Sequence, residues 1–494
     1  MTIKNFFAVL LISTVAPALW ADAPHENVNG RIHDRVLANG RVMDPASGLD
    51  AIRNVGITAG TITAVSAADL DGKEVVDASG LVIAPGFIDF HAHGQDNEAN
   101  RFQARDGVTT ALDLEGGRYP VAAYYRNRAG KALLNYGVAV SHHDIRKLLW
   151  PVATQGEDWA YAEARPEQIE EILARFAEGL ADGGIGAGLG LEYTPGVGYD
   201  EVYRIFQFMA ARDAPVTVHL RRARGDKVPP HSNLVAFQEV LANAAATGAA
   251  LHIVHITPSA LGDTATAIDL IAGAEKAGVN VSTEVYPYTA GSTSLRSAAF
   301  DEGWQQRLGM SYENLVWTAT GERLTRETFD RYRSPEHAAD SAGVIAHFIP
   351  QDAMRLAIAH PLTQIASDGL AWETGGEHPR GAGTFSRVLG RHVREMQALD
   401  LMTALRKMSW MPAQRLAAFV PAMRNKGRIA VGADADITVF DPQRIIDRAT
   451  YEQPMQYSEG VVYVLVGGNF VVRDGESVEG AFPGQAIRLG EPVE

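Results

Sequence analysis

The residues best placed to do chemistry begin at positions 85 to 94, "PGFIDFHAHG". His91 and His93 stand one residue apart at the end of an apolar run. On a strand, that spacing puts both side chains on one face, where they can reach a single metal ion. An H-x-H pair taken alone is equally the mark of two solvated loop histidines, so the case depends on the rest of the chain. Further apolar runs also close on titratable or polar groups: Glu115 after "VTTALDLE", His142 after "GVAVSH", Glu192 after "GAGLGLE", His219 after "PVTVH", His255 after "ALHIVH", Tyr286 in "VNVSTEVYP" and Asp368 in "QIASDG". His219 and His255 come from consecutive runs and can lie side by side. His252, three residues before His255, faces the other side of its strand and reads as structural. Neutral imidazole with carboxylate suits zinc, and a catalytic zinc site keeps one position open for water. Asp368 could bind the metal, accept a proton from that water, or simply cap a turn, a common role for aspartate.

Such groups converge only if the chain closes into a ring of strands. Residues 85 to 422 carry eight short apolar runs, most of them separated by amphipathic helical stretches such as "PEQIEEILARFAEGLAD". Eight β/α units predict a closed parallel barrel, in which catalytic groups sit at the C-terminal ends of the strands. In a closed barrel the eighth strand lies beside the first, which brings Asp368 towards His91 and His93. The alternative is an open doubly wound sheet. No Gly-rich phosphate loop follows the first strand to support it. About residues 289–360 form a long connection between the seventh and eighth runs, expected to be a helical insertion over the active-site face. Both ends of the chain, 28–84 and 423–494, alternate Val and Ile with Gly, Asn and Asp turn signals. They are expected to pair into one small β-sandwich domain. The predicted fold class is α/β, a (β/α)8 barrel with that β-sandwich formed by both termini.

Composition narrows the function classes. The 494 residues carry a formal net charge of −15, which argues against a general nucleic-acid binder and gives no support for docking on anionic lipid. There is no cysteine, so thiolate ligands, thiol nucleophiles, disulfides and lipid attachment at cysteine are all excluded. Residues 1–21 have the form of a secretory signal: Lys4, the apolar run "FFAVLLISTVAPALW", and small residues at Ala18 and Ala21. The mature chain is expected to be exported, to a bacterial periplasm, with no stable membrane anchor.

The motifs "PGFIDFHAHG", "DGVTT", "HIVHIT", "ASDG" and "GADADI" together resemble the metal-dependent amidohydrolase superfamily. Within it the chain resembles the N-acyl-D-amino-acid deacylases, or D-aminoacylases, through "GLEYTPG", "VYPYTAGSTSL" and "HPRGAGTFSRVLGRHVRE". The likeness covers most of residues 30–480. It implies a barrel binding one or two zinc ions, with His91, His93, His219, His255 and Asp368 in the ligand and base positions. Glu115 stands where the family often has a bridging cysteine. The resemblance implies that Tyr286, Ser292 and Arg380 hold a substrate α-carboxylate, and it adds Tyr193 to the substrate-binding set. His142, in "SHHDIR", matches the strand-three histidine and is expected to assist as a donor to the developing oxyanion. Two positions depart from the pattern around the side-chain pocket. Arg222 and Arg224 follow the strand-five histidine where an acidic residue is usual, and Thr257 replaces a lysine two residues after His255.

The implied activity is hydrolysis of the amide bond of an N-acyl-D-amino acid, with Asp368 as general base and then general acid. The rival reactions on the same scaffold are those of a dipeptidase or a cyclic-amide hydrolase. A rival of another class is an exported binding protein that has lost its chemistry. The expected partner is a small N-acyl amino acid.

Overall fold

The structure is a computed structural model that describes residues 32–150, 159–221, 233–337, 342–372 and 378–490. The expected signal segment and Arg222 and Arg224 lie outside the described residues. Among those described, no helix is long and apolar enough to cross a membrane.

Eight parallel strands form the barrel: Phe87–Asp89, Val108–Arg118, Asn135–Ser141, Ala187–Gly190, Val216–His219, Leu251–Ile253, Val281–Val285 and Thr363–Ile365, each beside the next in chain order. A bridge between Ala92 and Gly369 closes the ring just beyond the eighth and first strands. Asp89 fastens the same seam, accepting from the Ser367 amide at 3.0 Å and from the Ser367 hydroxyl. The strands are short and almost wholly buried because helices cover them outside. Helix Pro166–Ala181 shows how: Pro166 starts it, and Ile169, Ile172, Leu173 and Phe176 repeat at helical spacing on the buried face.

Both chain ends contribute to a nine-stranded sheet. Strand Val82–Pro85 joins the halves, pairing parallel with His33–Asp44 and antiparallel with Ile437–Phe440. Tight two-residue turns with both residues at positive φ set its hairpins at Ala59-Gly60, Gly467-Gly468 and Asp474-Gly475. The sheet closes over its own apolar cluster, which includes Leu37, Val55, Ile83, Ile437 and Leu465.

Two expectations change. The extreme C-terminus leaves this sheet: Gly484, Gln485 and Ile487 exchange backbone bonds with Ala132 and Tyr136 at the start of the third barrel strand. Ile487 is buried with Leu112, Ile185 and Leu416, so the tail plugs the lower end of the barrel. The insertion also is not purely helical. Ala290–Thr293, Leu315–Trp317 and Val344–His347 make a three-stranded antiparallel sheet, with short helices around a core of Phe300, Trp304, Trp317 and Phe329. Helix Arg326–Arg333 is one of the helical pieces of the segment. Val344 and Ile345 are buried and pair with strands on both sides.

Candidate metal centre and substrate cavity

The strand ends bring five of the expected side chains and Glu115 to one point. Nε2 of His91 lies 3.1 Å from Nε2 of His93, and Nε2 of His255 lies 3.1 Å from Nδ1 of His219. Oδ1 of Asp368 is 3.3 Å from His91 Nε2 and 3.6 Å from His93 Nε2. Glu115 lies between the two histidine pairs. Its Oε2 is 3.2 Å from His93 Nε2, and its Oε1 is 3.2 Å from His219 Nδ1. His255 and Asp368 both adopt left-handed backbone conformations, with φ of 27° and 53°, the strain expected where a chain must aim a functional group.

This donor set fits a metal. Nitrogens about 2.0–2.1 Å from a tetrahedral zinc would stand about 3.3 Å apart, close to the spacing found. The local field also calls for a cation. Burial would lower the His91 pKa, yet the carboxylates of Asp368 and Glu284 overcome this and raise it to about 10. Burial would raise the Glu115 carboxyl, and bonds from His219, His91 and His93 hold it well below the ordinary range. Burial and the adjacent His219 push His255 down to about 3, which leaves it neutral and able to ligate.

A second layer, absent from the sequence reading, fixes the ring orientations. Glu284 accepts from Nδ1 of His91 at 2.6 Å and from Nε2 of His252 at 2.9 Å. Asp113 lies 3.1 Å from His93 Nδ1 and accepts from the amides of Gly116 and Gly117 and from Arg118. Gly117, at φ 63°, makes that turn; a Cβ there would sit 2.5 Å from the Ala139 carbonyl oxygen. A signal for Asp113 was present: "DLE" repeats the i, i+2 spacing of "HAH", so both carboxylates share a strand face. Glu284 is the acid inside an otherwise apolar and hydroxylic strand. His252 keeps off the metal cluster, as expected, and bonds Ser282 and Glu284.

His142 is a correction. It is wholly buried, its Nε2 is 2.7 Å from Glu201, and it does not line the cavity. The next residue, His143, lines it instead. Ser141 caps the helix His142–Leu149, and that first turn sends successive side chains in different directions. His143 Nε2 donates to the Gly190 carbonyl at 2.8 Å, and burial pushes its pKa down to about 4. Glu192 and Tyr193 follow the fourth strand in a short helical turn, and both face the cavity.

The cavity above the cluster has a volume of about 960 Å³. Arg380 and Ser292 face it, with Tyr286 beneath the guanidinium at 4.9 Å. Arg380 Nη1 lies 2.8 Å from Asp368 Oδ2. Arg380 Nε and Ser292 Oγ are buried without hydrogen-bond partners. Thr257 is fully buried outside the cavity lining.

Residues 120–472 match the model of the amidohydrolase family. An N-acyl-D-glutamate deacylase of Alcaligenes xylosoxydans xylosoxydans is 30% identical over 474 residues, covering 88% of this chain and 93% of that protein. A D-aminoacylase of the same organism is 28% identical, covering 92% and 96%. Among solved structures, an N-acyl-D-glutamate deacylase of Bordetella bronchiseptica superposes with a TM-score of 0.77 at 26% identity, over 93% of this chain and all of that one. That structure is complexed with zinc and a phosphonate inhibitor that mimics the tetrahedral intermediate.

Proposed function

The chain belongs to the amidohydrolase family, and from this we infer that its cavity hydrolyses N-acyl-D-amino acids to a carboxylic acid and a D-amino acid. The observation that carries the substrate class is the unsatisfied clamp. A buried polar atom without a partner costs about 1–3 kcal/mol. Arg380 Nε and Ser292 Oγ are two such atoms in one wall of the cavity, and among the described residues the carboxylate paired with Arg380 is Asp368. An α-carboxylate satisfies both, and a planar guanidinium grips it in a defined orientation.

The cofactor is zinc. His91, His93 and Asp368 would hold it on one side, His219 and His255 on the other, with one oxygen of Glu115 turned towards each set. Zinc supplies Lewis acidity to the acyl carbonyl and lowers the pKa of water from 15.7 towards about 7. Asp368 accepts the proton of the attacking water and returns it to the departing amide nitrogen. Arg380 lies beside that carboxylate, so substrate orientation and proton transfer share one corner of the site. With the carboxylate, the nitrogen and the carbonyl each held, the α-hydrogen and side chain of an L-substrate are interchanged relative to a D-substrate.

A neutral side chain is favoured because two arginines of the cavity wall are already paired with carboxylates: Arg221 with Glu239 at 2.9 Å and Arg333 with Asp301 at 3.5 Å. Export to the periplasm is part of the same proposal and is supported by the pattern of residues 1–21.

The test is kcat/KM on paired D- and L-N-acetyl amino acids, with hydantoin and dihydroorotate as cyclic controls. Turnover of linear D-substrates is expected. A preference for L-substrates, or cleavage of cyclic amides alone, would overturn the reading.

A further inference from the structure

The cavity wall opposite the clamp is aromatic, and the clamp chemistry leaves it unused. Tyr286, Ser292 and Arg380 follow the seventh and eighth strands. Across the ring stand His143, after the third strand, and Tyr193, after the fourth. A continuous path of rings leads away from the metal cluster. Tyr193 lies 4.8 Å from His219, His143 lies 5.9 Å from Tyr193, and Trp159 lies 5.4 Å from His143. Tyr161 completes the wall at its outer rim, where its hydroxyl donates to Asp301 of the insertion at 2.6 Å.

The segment carrying Trp159 and Tyr161 is anchored from behind. Arg146 donates to the carbonyls of Trp159, at 2.9 Å, and Ala162. Glu201 holds Arg146 through two oxygens at 2.8 Å and binds His142 as well. All three side chains are buried. From the loop after the fourth strand, the Gly196 amide donates to the Ala160 carbonyl at 3.0 Å. The buried His142–Glu201–Arg146 unit therefore positions a binding wall.

The substrate's own geometry directs one of its ends to this wall. A trans amide places the acyl substituent and the α-carbon at opposite ends of the C–N bond. With the α-carboxylate at Arg380 and the carbonyl over the metal cluster, the acyl substituent points across the ring towards the third and fourth strands. The cavity, at about 960 Å³, sits at the upper end of the roughly 300–1,000 Å³ range of small-molecule sites. An acetyl group leaves this wall largely untouched. We propose that His143, Trp159, Tyr161 and Tyr193 form the acyl subsite and select acyl groups that bear an aromatic ring. Ring pairs favour offset or edge-to-face contacts with centroids about 4.5–7 Å apart, and the wall offers ring faces and edges to make them. The proposal rests on the deacylase reading.

The experiment compares N-phenylacetyl-D-leucine with N-acetyl-D-leucine on the zinc-loaded enzyme, in wild type, Trp159→Ala and Trp159→Phe. The wild type is expected to cleave the phenylacetyl substrate with kcat/KM at least equal to that for the acetyl one. Trp159→Ala should lower the ratio of the two constants tenfold or more, and Trp159→Phe should keep it within threefold of wild type. A general loss of folding or metal would lower both constants together and leave the ratio unchanged, which counts against the subsite. A wild type that cleaves N-acetyl-D-leucine but is tenfold poorer on the phenylacetyl substrate would overturn the proposal and leave the deacylase reading intact. Failure to cleave either compound would overturn the deacylase reading, and the subsite with it.

Discussion

Glu284 joins His91 and His252 through separate carboxylate oxygens, so a metal-cluster histidine from the first strand is braced against a histidine of the sixth. Ser282 holds the far side of His252 at 2.7 Å. The relay fixes the orientation of His91: Nδ1 donates to Glu284, which turns Nε2, the nitrogen that would ligate a metal, towards His93, Asp368 and the cluster.

Glu284→Gln should therefore weaken metal binding without removing a ligand. An amide can accept from only one of the two rings and presents N–H to the other. Loss of such an orienting partner costs about 10–100-fold in metal affinity or activity. Zinc retained in competition with a chelator series checks this. Retention equal to wild type would remove the orienting role.

Glu115→Gln tests the carboxylate between the histidine pairs. An amide is a poorer ligand, and it removes the negative charge that faces His93 and His219. Metal content measured by elemental analysis, and kcat at saturating zinc, should both fall, kcat by about 10-fold or more. Unchanged metal content and rate would assign Glu115 to packing, and Glu192, which also lines the cavity, becomes the next ligand to test.

The convergence of these side chains was legible in the sequence because strand ends in a closed barrel must meet, and His91, His93, His219, His255 and Asp368 each end an apolar run. The sequence placed His142 badly because "SHH" straddles a strand end and a helix start, where one residue's difference turns a side chain from the cavity to the core. The supporting carboxylates were harder to read. Asp113 and Glu284 are buried, and their partners lie 20 and 193 residues away in His93 and His91; the first pair sits on neighbouring strands, and the second is created only by the closed ring. The tail at Ile487 escaped for a related reason: an isolated apolar residue in a Gly/Pro-containing segment carries no periodicity to show that it covers the barrel's lower end.

Arg380→Ala should raise KM by about 10–100-fold, as expected for loss of a charged hydrogen bond of about 1.5–3 kcal/mol. Contacts made equally in the ground and transition states appear in KM. The D-over-L ratio should fall too, because one of the three fixed points is gone. The structure adds an effect on kcat, since Asp368 loses its partner at 2.8 Å. Arg380→Lys should not restore KM, because an ammonium cannot reproduce the planar two-point grip. Steady-state constants for D- and L-substrates decide it. If KM, kcat and the enantiomer ratio all hold at wild-type values, the α-carboxylate is bound elsewhere.

Lys407 supplies a prediction about stability. Its side chain is 1% exposed and donates to Thr363 Oγ1, at 2.8 Å, and to the His360 carbonyl, and among the described residues it pairs with no carboxylate. Burial lowers its pKa from 10.5 to about 7. Between those values the unfolded chain binds a proton that the folded chain does not, so this group makes stability rise with pH across that window. Below about pH 7 the folded protein carries the full burden of a buried charge. Lys407→Met removes that burden but also leaves two acceptors without a donor. The difference in Tm, variant minus wild type, should thus be most favourable to the variant near pH 6 and should fall steadily from pH 7 to pH 10. Thermal unfolding followed by circular dichroism at constant zinc across that range checks it. A difference in Tm that stays flat with pH would mean that the lysine keeps its ordinary pKa in the folded protein.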